Sequence, residues 1–391
     1  MGSAEWGLAE DCVFLNHGSF GASPMEVCSY RRSLLGEMER QPLDFILRRY
    51  MPALPGILER LEDFTGASRG SVVLVPNATT GVNTVLSNLD LGPGDRLVTT
   101  GQEYFASRNA LEFFAGRRGA EVVVVPIAVP VESPGRVVDA IMSSVDSRTR
   151  LVLVDHVSSP TGMVFPVEAL ARELDRAGVD LLVDGAHGPG MLHLELEVLG
   201  AAYYTGNCHK WMCSPRTAAI LCVRHDRQQG FRPLVMSHFH TDFQVDMSPF
   251  QVEFSWNGTV DPTPRMTIPF AIDYMAGLHP GGWPGLMEEN RRLAVEATLL
   301  VSGETGLEPS CPLEMLGSMG SVILPYAPPS TLPPPEGIDP LQERLRREKG
   351  IEVPVTFTPS PKGRFLRFSC QLYNSIDQYA YLASSLLSSS G

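Results

Sequence analysis

The chain has 391 residues, with 44 Asp plus Glu against 31 Lys plus Arg, a formal charge of −13 and a pI near 5.2. That balance excludes a binder of the nucleic-acid backbone, which needs a net basic face. Hydrophobic residues supply 43% of the sequence, enough for a large core, yet no apolar run reaches the roughly 20 residues of a membrane helix, so a soluble globular chain without nucleic-acid or membrane partners is expected.

The opening MGSAEWGLAED carries neither the basic nor the apolar block of a secretory signal. Trp6 also stands where a myristoylation signal after Gly2 needs Ser or Thr, so the expected location is cytoplasmic. From residue 71 onward, short β-branched runs alternate with helical patterns. The runs are SVVLV (71–75), RLVTT (96–100), EVVVV (121–125), RLVLVD (150–155) and DLLVD (180–184), and the helical patterns lie near 79–89, 106–117, 136–145 and 166–177. Apolar runs without period-two alternation suit a sheet covered on both faces, and strands spaced by helices imply parallel pairing through crossovers. This predicts a doubly wound α/β domain, whose ligands gather at the carboxyl ends of the strands.

Beyond residue 265 the pattern changes. A long helix is expected from Leu286 to about Val301, a rigid surface loop over the Pro-rich stretch 325–340, a helix over 339–349, strands in IEVPV and RFLRFSC, and a terminal helix from Ser375. Strands and helices mixed at short range read as a smaller α+β domain. The expected division is an N-terminal segment 1–20, a large domain 21–265 and a small domain 266–391.

Seven cysteines without a CxxC pair fit reduced thiols. His238 and His240 lack a nearby third ligand, so they read as loop residues and no metal is expected. Lysine is scarce, occurring only at 210, 349 and 362. Lys349 follows Arg346-Arg347-Glu348 and precedes Gly350, the pattern of a helix C-terminus. Lys362 reads as a loop charge, whereas Lys210 stands in YYTGNCHKW, a polar Gly-containing turn between aromatic neighbours, downstream of Asp184 at a strand end.

Taken singly, a strand-terminal Asp is a turn former, a lone Lys is a surface charge, and Thr79-Thr80 after Pro76-Asn77 is a plain helix N-cap. Together they are the equipment for a pyridoxal phosphate Schiff base: an amine, a carboxylate for the pyridine nitrogen, and a helix N-terminus for the phosphate.

The chain resembles the class V branch of fold-type I pyridoxal phosphate enzymes, and within it the isopenicillin N epimerase family. The matching segments are LNHGSFGASP (15–24), NATTGVNTVL (77–86), HVSSPTGMVFPVEAL (156–170), LLVDGAHGPGML (181–192), His209-Lys210-Trp211, WNGTVDPTP (256–264) and RFLRFSCQLYNS (364–375). The resemblance implies that Lys210 holds the cofactor and shuttles the α-proton, that Asp184 pairs with the ring nitrogen, that His187 lies against the ring, and that Tyr104 stacks on its face. It implies phosphate contacts from Thr79, Thr80, Asn207 and His209, with Thr259 supplied by the partner of a homodimer with shared sites. Ser158 and Thr161 would flank the ring edge, Arg367 would grip the substrate carboxylate, and Asn16 and His17 would line the substrate pocket.

Two positions depart from the pattern. The stretch IEVPVTFTPSPKG lacks the nucleophilic cysteine of cysteine desulfurases, while Cys370 reads as a core residue. Arg265 stands where relatives usually carry an aromatic, and it either reads a second anionic group on the substrate or forms a structural salt bridge. Relatives in bacterial secondary metabolism, antibiotic biosynthesis included, imply three reactions at the same α-carbon. β-Elimination of an amino-acid S-conjugate ranks first, epimerisation with Tyr104 or His17 on the second face comes next, and decarboxylating deamination follows. A cofactor-free binding protein would show erosion of these residues, and all are present.

Overall fold

The computed structural model describes residues 3–237, 246–330 and 337–387. His238 and His240 lie outside these residues, as does part of the Pro-rich stretch. The strands are β1 (Val13–Phe14), β2 (Val72–Val75), β3 (Arg96–Thr100), β4 (Glu121–Val125), β5 (Thr149–Asp155), β6 (Asp180–Asp184), β7 (Tyr203–Asn207), β8 (Ala219–Val223), β9 (Met319–Ile323), β10 (Ile351–Glu352), β11 (Val355–Pro359) and β12 (Lys362–Ser369).

Strands β2 to β8 form one sheet in the order β2-β8-β7-β6-β5-β3-β4. The pairs from β7 to β4 are parallel, and β8 runs antiparallel to both β2 and β7. Alternate residues of the apolar runs feed two cores. Val72, Leu74, Val98, Val152, Val154, Leu181 and Val183 pack on one face, and Val73, Val75, Leu97, Leu151, Leu153 and Leu182 on the other. Burial on both faces is why these runs show no polar alternation.

The five runs read from sequence are strands to within one residue. The turn expected around Lys210 is instead preceded by a strand: Tyr203–Asn207 is β7, wholly buried between β6 and β8. The glycine there meets a packing demand, because a Cβ on Gly206 would lie 2.7 Å from Pro189 Cγ. β8 likewise escaped the sequence reading.

In the C-terminal part, β11-β12-β9 form an antiparallel sheet backed by the helices Gly282–Thr305 and Ile376–Leu387. The helix Pro340–Lys349 ends at Gly350 in the left-handed conformation (φ 64°), as the Lys349-Gly350 pattern anticipates. The N-terminal segment returns to this part of the chain. β1 pairs in parallel with β10, and Leu15 is buried in the same core as Val322, Leu366 and Phe368. The one-turn helix His17–Phe20 is thereby laid across the carboxyl end of the large sheet.

Candidate active site

Three neighbouring strands of the large sheet end in acid-bearing segments on one side. β6 ends on Asp184 and β5 on Asp155, which are register partners, and Glu103 follows β3, the next strand over. Asp184 and Asp155 border a cavity of about 320 Å³.

Asp184 is buried and accepts two hydrogen bonds, from Ser107 Oγ at 2.6 Å and from the Ala186 amide at 3.1 Å. Burial raises its pKa, while the Ser107 and Ala186 bonds and Lys210 pull it down. Its two accepted bonds favour the ionised form, which suits a partner for a cationic ring nitrogen.

Lys210 follows β7 and borders the cavity. Burial, then the Arg367 guanidinium, lowers its amine to about 8, against Asp184 and Asp155, which raise it. Its Nζ lies 3.2 Å from His187 Nε2. The buried Trp211 donates its indole N–H to His187 Nδ1 at 3.2 Å. An indole nitrogen can only donate, so Nδ1 accepts and the proton of the neutral imidazole resides on Nε2. Burial and the neighbouring Lys210 hold the His187 pKa well below 6.5. The lowered pKa leaves a minor but usable share of the amine unprotonated near pH 7, and the His187 N–H can bond only that unprotonated form.

The helix Ala78–Asn88 opens on the N-cap Asn77, whose Oδ1 accepts from the Thr80 amide at 2.8 Å and the Thr80 hydroxyl at 3.0 Å. Asn207 Oδ1 takes the Ala78 amide at 2.9 Å. Thr79 is left bordering the cavity with its first-turn amide at the positive end of the helix dipole. His209 also borders the cavity, and its Nδ1 has no hydrogen-bond partner. Thr79, Asn207 and His209 thus line the cavity beside the helix N-terminus, while the Thr80 hydroxyl is turned onto the cap.

Arg367, on β12, is 3% exposed. It donates through Nη1 to the Ser159 carbonyl, and through Nη2 to Ser19 Oγ at 3.1 Å and Asn16 Oδ1 at 3.5 Å. Its Nε has no partner, and no carboxylate of the described residues pairs with it. Burial lowers its pKa to about 10. A buried guanidinium with neutral acceptors and a spare N–H is prepared for an incoming carboxylate. Gly21 (φ +68°) allows the N-terminal turn to reach this place, because a Cβ there would lie 2.0 Å from the His209 carbonyl oxygen.

The remaining expected residues fall in different places. Tyr104 borders the cavity and is 43% exposed, and burial together with Asp184 raises its phenol pKa. His17 does not line the cavity: it is buried behind Lys210, with Nδ1 3.0 Å from the Tyr373 hydroxyl and Nε2 3.0 Å from the Lys210 carbonyl. Ser158 and Thr161 are fully buried, and their hydroxyls turn inward onto Gln102 Oε1 at 3.2 and 3.3 Å. Their neighbour Ser159 borders the cavity instead.

Arg265 is buried against the Tyr50 hydroxyl at 3.0 Å, in a separate small cavity beside Leu54 and Phe254. Thr259 is exposed and does not line its own chain's cavity. Sequence reading missed Ser107, Asp155, Glu103 and Ser19. Asp155 was within reach, because it ends its strand as Asp184 does. Ser107 is brought in only by the packing of its helix.

Sheet order, cavity and the amine at the end of β7 define an enzyme of the fold-type I architecture. The class-V aminotransferase family matches residues 49–253, and the chain belongs to that family. It is 33% identical over 384 residues to isopenicillin N epimerase of Amycolatopsis lactamdurans, covering 95% of this chain and 94% of that protein. It is 26% identical to an L-cysteine desulfhydrase of Arabidopsis thaliana, covering 94% of this chain and 86% of the other. Among solved structures, a mutant of C-DES with glycine covalently linked to its PLP cofactor superposes with a TM-score of 0.80 at 18% identity, covering 99% of both chains. The cysteine desulfurase CsdA of Escherichia coli does so at 0.79 and 18%, covering 98% and 96%.

Proposed function

We propose that the chain is a pyridoxal-phosphate-dependent lyase that cleaves the carbon–sulfur bond of an amino-acid S-conjugate by β-elimination. The observation that carries this reading is Lys210, an amine lowered to about 8, set between the neutral His187 and the buried Asp184 at the wall of a 320 Å³ cavity. The residues fit the cofactor. The Thr79 amide, Asn207 and the unpaired His209 Nδ1 would hold the phosphate, and Asp184 the ring nitrogen. The spare Nε of Arg367 suits the substrate carboxylate. Ser158, Thr161 and Thr80 act from one layer behind. When bound, the cofactor supplies an electron sink for the electron pair left at the α-carbon.

This chain's residues do the rest. Arg367, with Asn16 and Ser19, fixes the carboxylate and so the orientation of the α-carbon. The Lys210 amine removes the α-proton, and a pKa near working pH suits a group that must both accept and return a proton. The thiolate leaves and is protonated. Water then completes the conversion to pyruvate and ammonia, so that conjugate plus water yields thiol, pyruvate and ammonia.

Elimination needs one base, whereas a reversible epimerase needs an acid/base group on each face. Both ring nitrogens of His17 are engaged, and the raised pKa of Tyr104 makes it a poor base. The cystine C–S lyase C-DES and the desulfhydrases support elimination. The 33% identical epimerase supports epimerisation as the second reading, with Tyr104 as donor. The absence of cysteine from 351–363 suits release of sulfur as thiol.

The proposal extends to a cytoplasmic homodimer serving bacterial secondary metabolism, antibiotic biosynthesis included, with Thr259 reaching the partner's phosphate. Phe20 and Phe105, 73% and 68% exposed near the cavity, support such a contact. Borohydride reduction followed by peptide mass spectrometry tests the cofactor assignment. A phosphopyridoxyl group on Lys210, absent from Lys210→Ala, is expected. A group on Lys349 or Lys362, or a protein that takes up no cofactor, overturns it.

A further inference from the structure

Glu103, Asp155 and Asp184 each place a carboxylate oxygen within 4.8 Å of the others. All three are buried, at 4%, 2% and 2% exposure, and no Lys or Arg of the described residues forms an ion pair with them. Asp184 has its own donors in Ser107 and Ala186. Both oxygens of Glu103 and Oδ2 of Asp155 have none. Three ionised carboxylates cannot share so small a buried volume without a cation. One proton between Glu103 and Asp155 removes a charge and supplies the missing donor, turning unpaired acceptors into an O–H···O bond.

We propose that Glu103 and Asp155 are a proton-sharing carboxyl pair that holds one net negative charge beside Asp184 and so keeps a ring nitrogen bound at Asp184 protonated. Both are positioning residues. Asp155 borders the cavity next to Asp184, and Glu103 stands behind it. Burial, then the charges of Asp155 and Asp184, raises Glu103 well above the ordinary range against the Tyr104 amide. Burial, then Asp184, raises Asp155 likewise, against the Glu103 hydrogen bond and the Ser159 and Tyr104 amides, which lower it, in keeping with a proton held on Glu103 and shared with Asp155. The other groups facing the cluster are Tyr104 from the loop after β3, Ser107 from the helix Phe105–Arg118, Tyr204 from β7 with its hydroxyl 3.0 Å from His156 Nδ1, Lys210 after β7, and Arg367 beyond it on β12. Only Lys210 and Arg367 are cationic, and neither reaches Glu103 by a hydrogen bond.

The role at the ring nitrogen rests on the cofactor reading above, whereas the shared proton does not, so the two are tested separately. Infrared spectroscopy of the cofactor-free full chain at neutral pH should show a protonated-carboxyl band that Glu103→Gln abolishes. No such band, a band that survives Glu103→Gln, or a stoichiometric metal ion removed by a chelator overturns the pair. In the loaded protein, nitrogen-15 NMR of ¹⁵N-labelled cofactor reads ring protonation directly. Asp155→Asn should shift loss of the ring proton about 1–2 pH units lower, and an unmoved titration overturns the role at the ring. If Asp155→Asn fails to fold, the ring titration is read instead in Glu103→Gln, where the isosteric amide leaves the negative charge wholly on Asp155 beside Asp184 and moves loss of the ring proton to higher pH. No movement there overturns the role equally.

Discussion

Replacing Arg367 by Leu should make the cofactor-free protein more stable and the enzyme much worse. The guanidinium is buried without a carboxylate among the described residues, and burial pushes its pKa from 12.5 to about 10, a penalty on the charged form of about 3 kcal/mol. Leu removes the penalty but forfeits the bonds to the Ser159 carbonyl, Ser19 and Asn16. Part of the gain is thereby lost, and a net stabilisation of about 1–2 kcal/mol remains. The same substitution removes a charge-assisted grip on the substrate carboxylate, worth about 3–4 kcal/mol, so kcat/KM should fall about 100- to 1000-fold, chiefly through KM. Urea unfolding gives the first quantity and steady-state thiol release the second. A carboxylate-bearing substrate analogue should raise the Tm of the parent but not of the variant. A variant that is less stable and keeps its KM would refute the idea that Arg367 is held in reserve for an anion.

Acid stability and the second face of the substrate give further outcomes. His17, His156 and His209 are held near pKa 4, chiefly by burial, against 6.5 unfolded. Their contribution is complete above pH 6.5 and lost as pH falls toward 4, because the unfolded chain binds more protons. Glu103 and Asp155, raised, act in the opposite sense. Stability measured by urea titration should fall from pH 6.5 to 4, and more steeply in Glu103→Gln; a flat profile would contradict the buried neutral imidazoles. Tyr104→Phe should retain thiol release within about tenfold while abolishing any inversion at the α-carbon, scored by chiral chromatography; loss of thiol release beyond about 100-fold would make the phenol part of the elimination itself.

Much of the fold was legible because a doubly covered sheet leaves a strong trace. Val72 to Val75 and Leu151 to Val154 are apolar at every position, since alternate residues feed two different cores. β7 left a weaker trace: Tyr-Tyr-Thr suits a strand, but Gly-Asn is turn-like and the segment lacks an aliphatic run, so its burial between β6 and β8 decides it. At the site, Lys210, Asp184 and Arg367 were legible as residue types whose chemistry is specific; Lys210 and Asp184 border one cavity, and Arg367 lies behind its lining residues Ser19 and Ser159.

His17, Ser158 and Thr161 were expected to face the ligand, but Tyr373 and Gln102 hold them one layer back. Facing direction depends on hydrogen-bond partners more than 50 residues away in sequence, which no local pattern records. Arg265 follows the same logic, its guanidinium drawn to Tyr50 from the other side of the chain. The Glu103–Asp155 pair was invisible because it arises from the order of strands in the sheet, β3 beside β5 beside β6.

The most direct test of the account is product analysis with cysteine S-conjugates in deuterated water. Pyruvate, ammonia and free thiol in equal amounts are predicted, with unreacted substrate retaining its configuration and with all products lost in Lys210→Ala. Recovery of the intact amino acid with deuterium at an inverted α-carbon, or evolution of carbon dioxide without thiol, would contradict it.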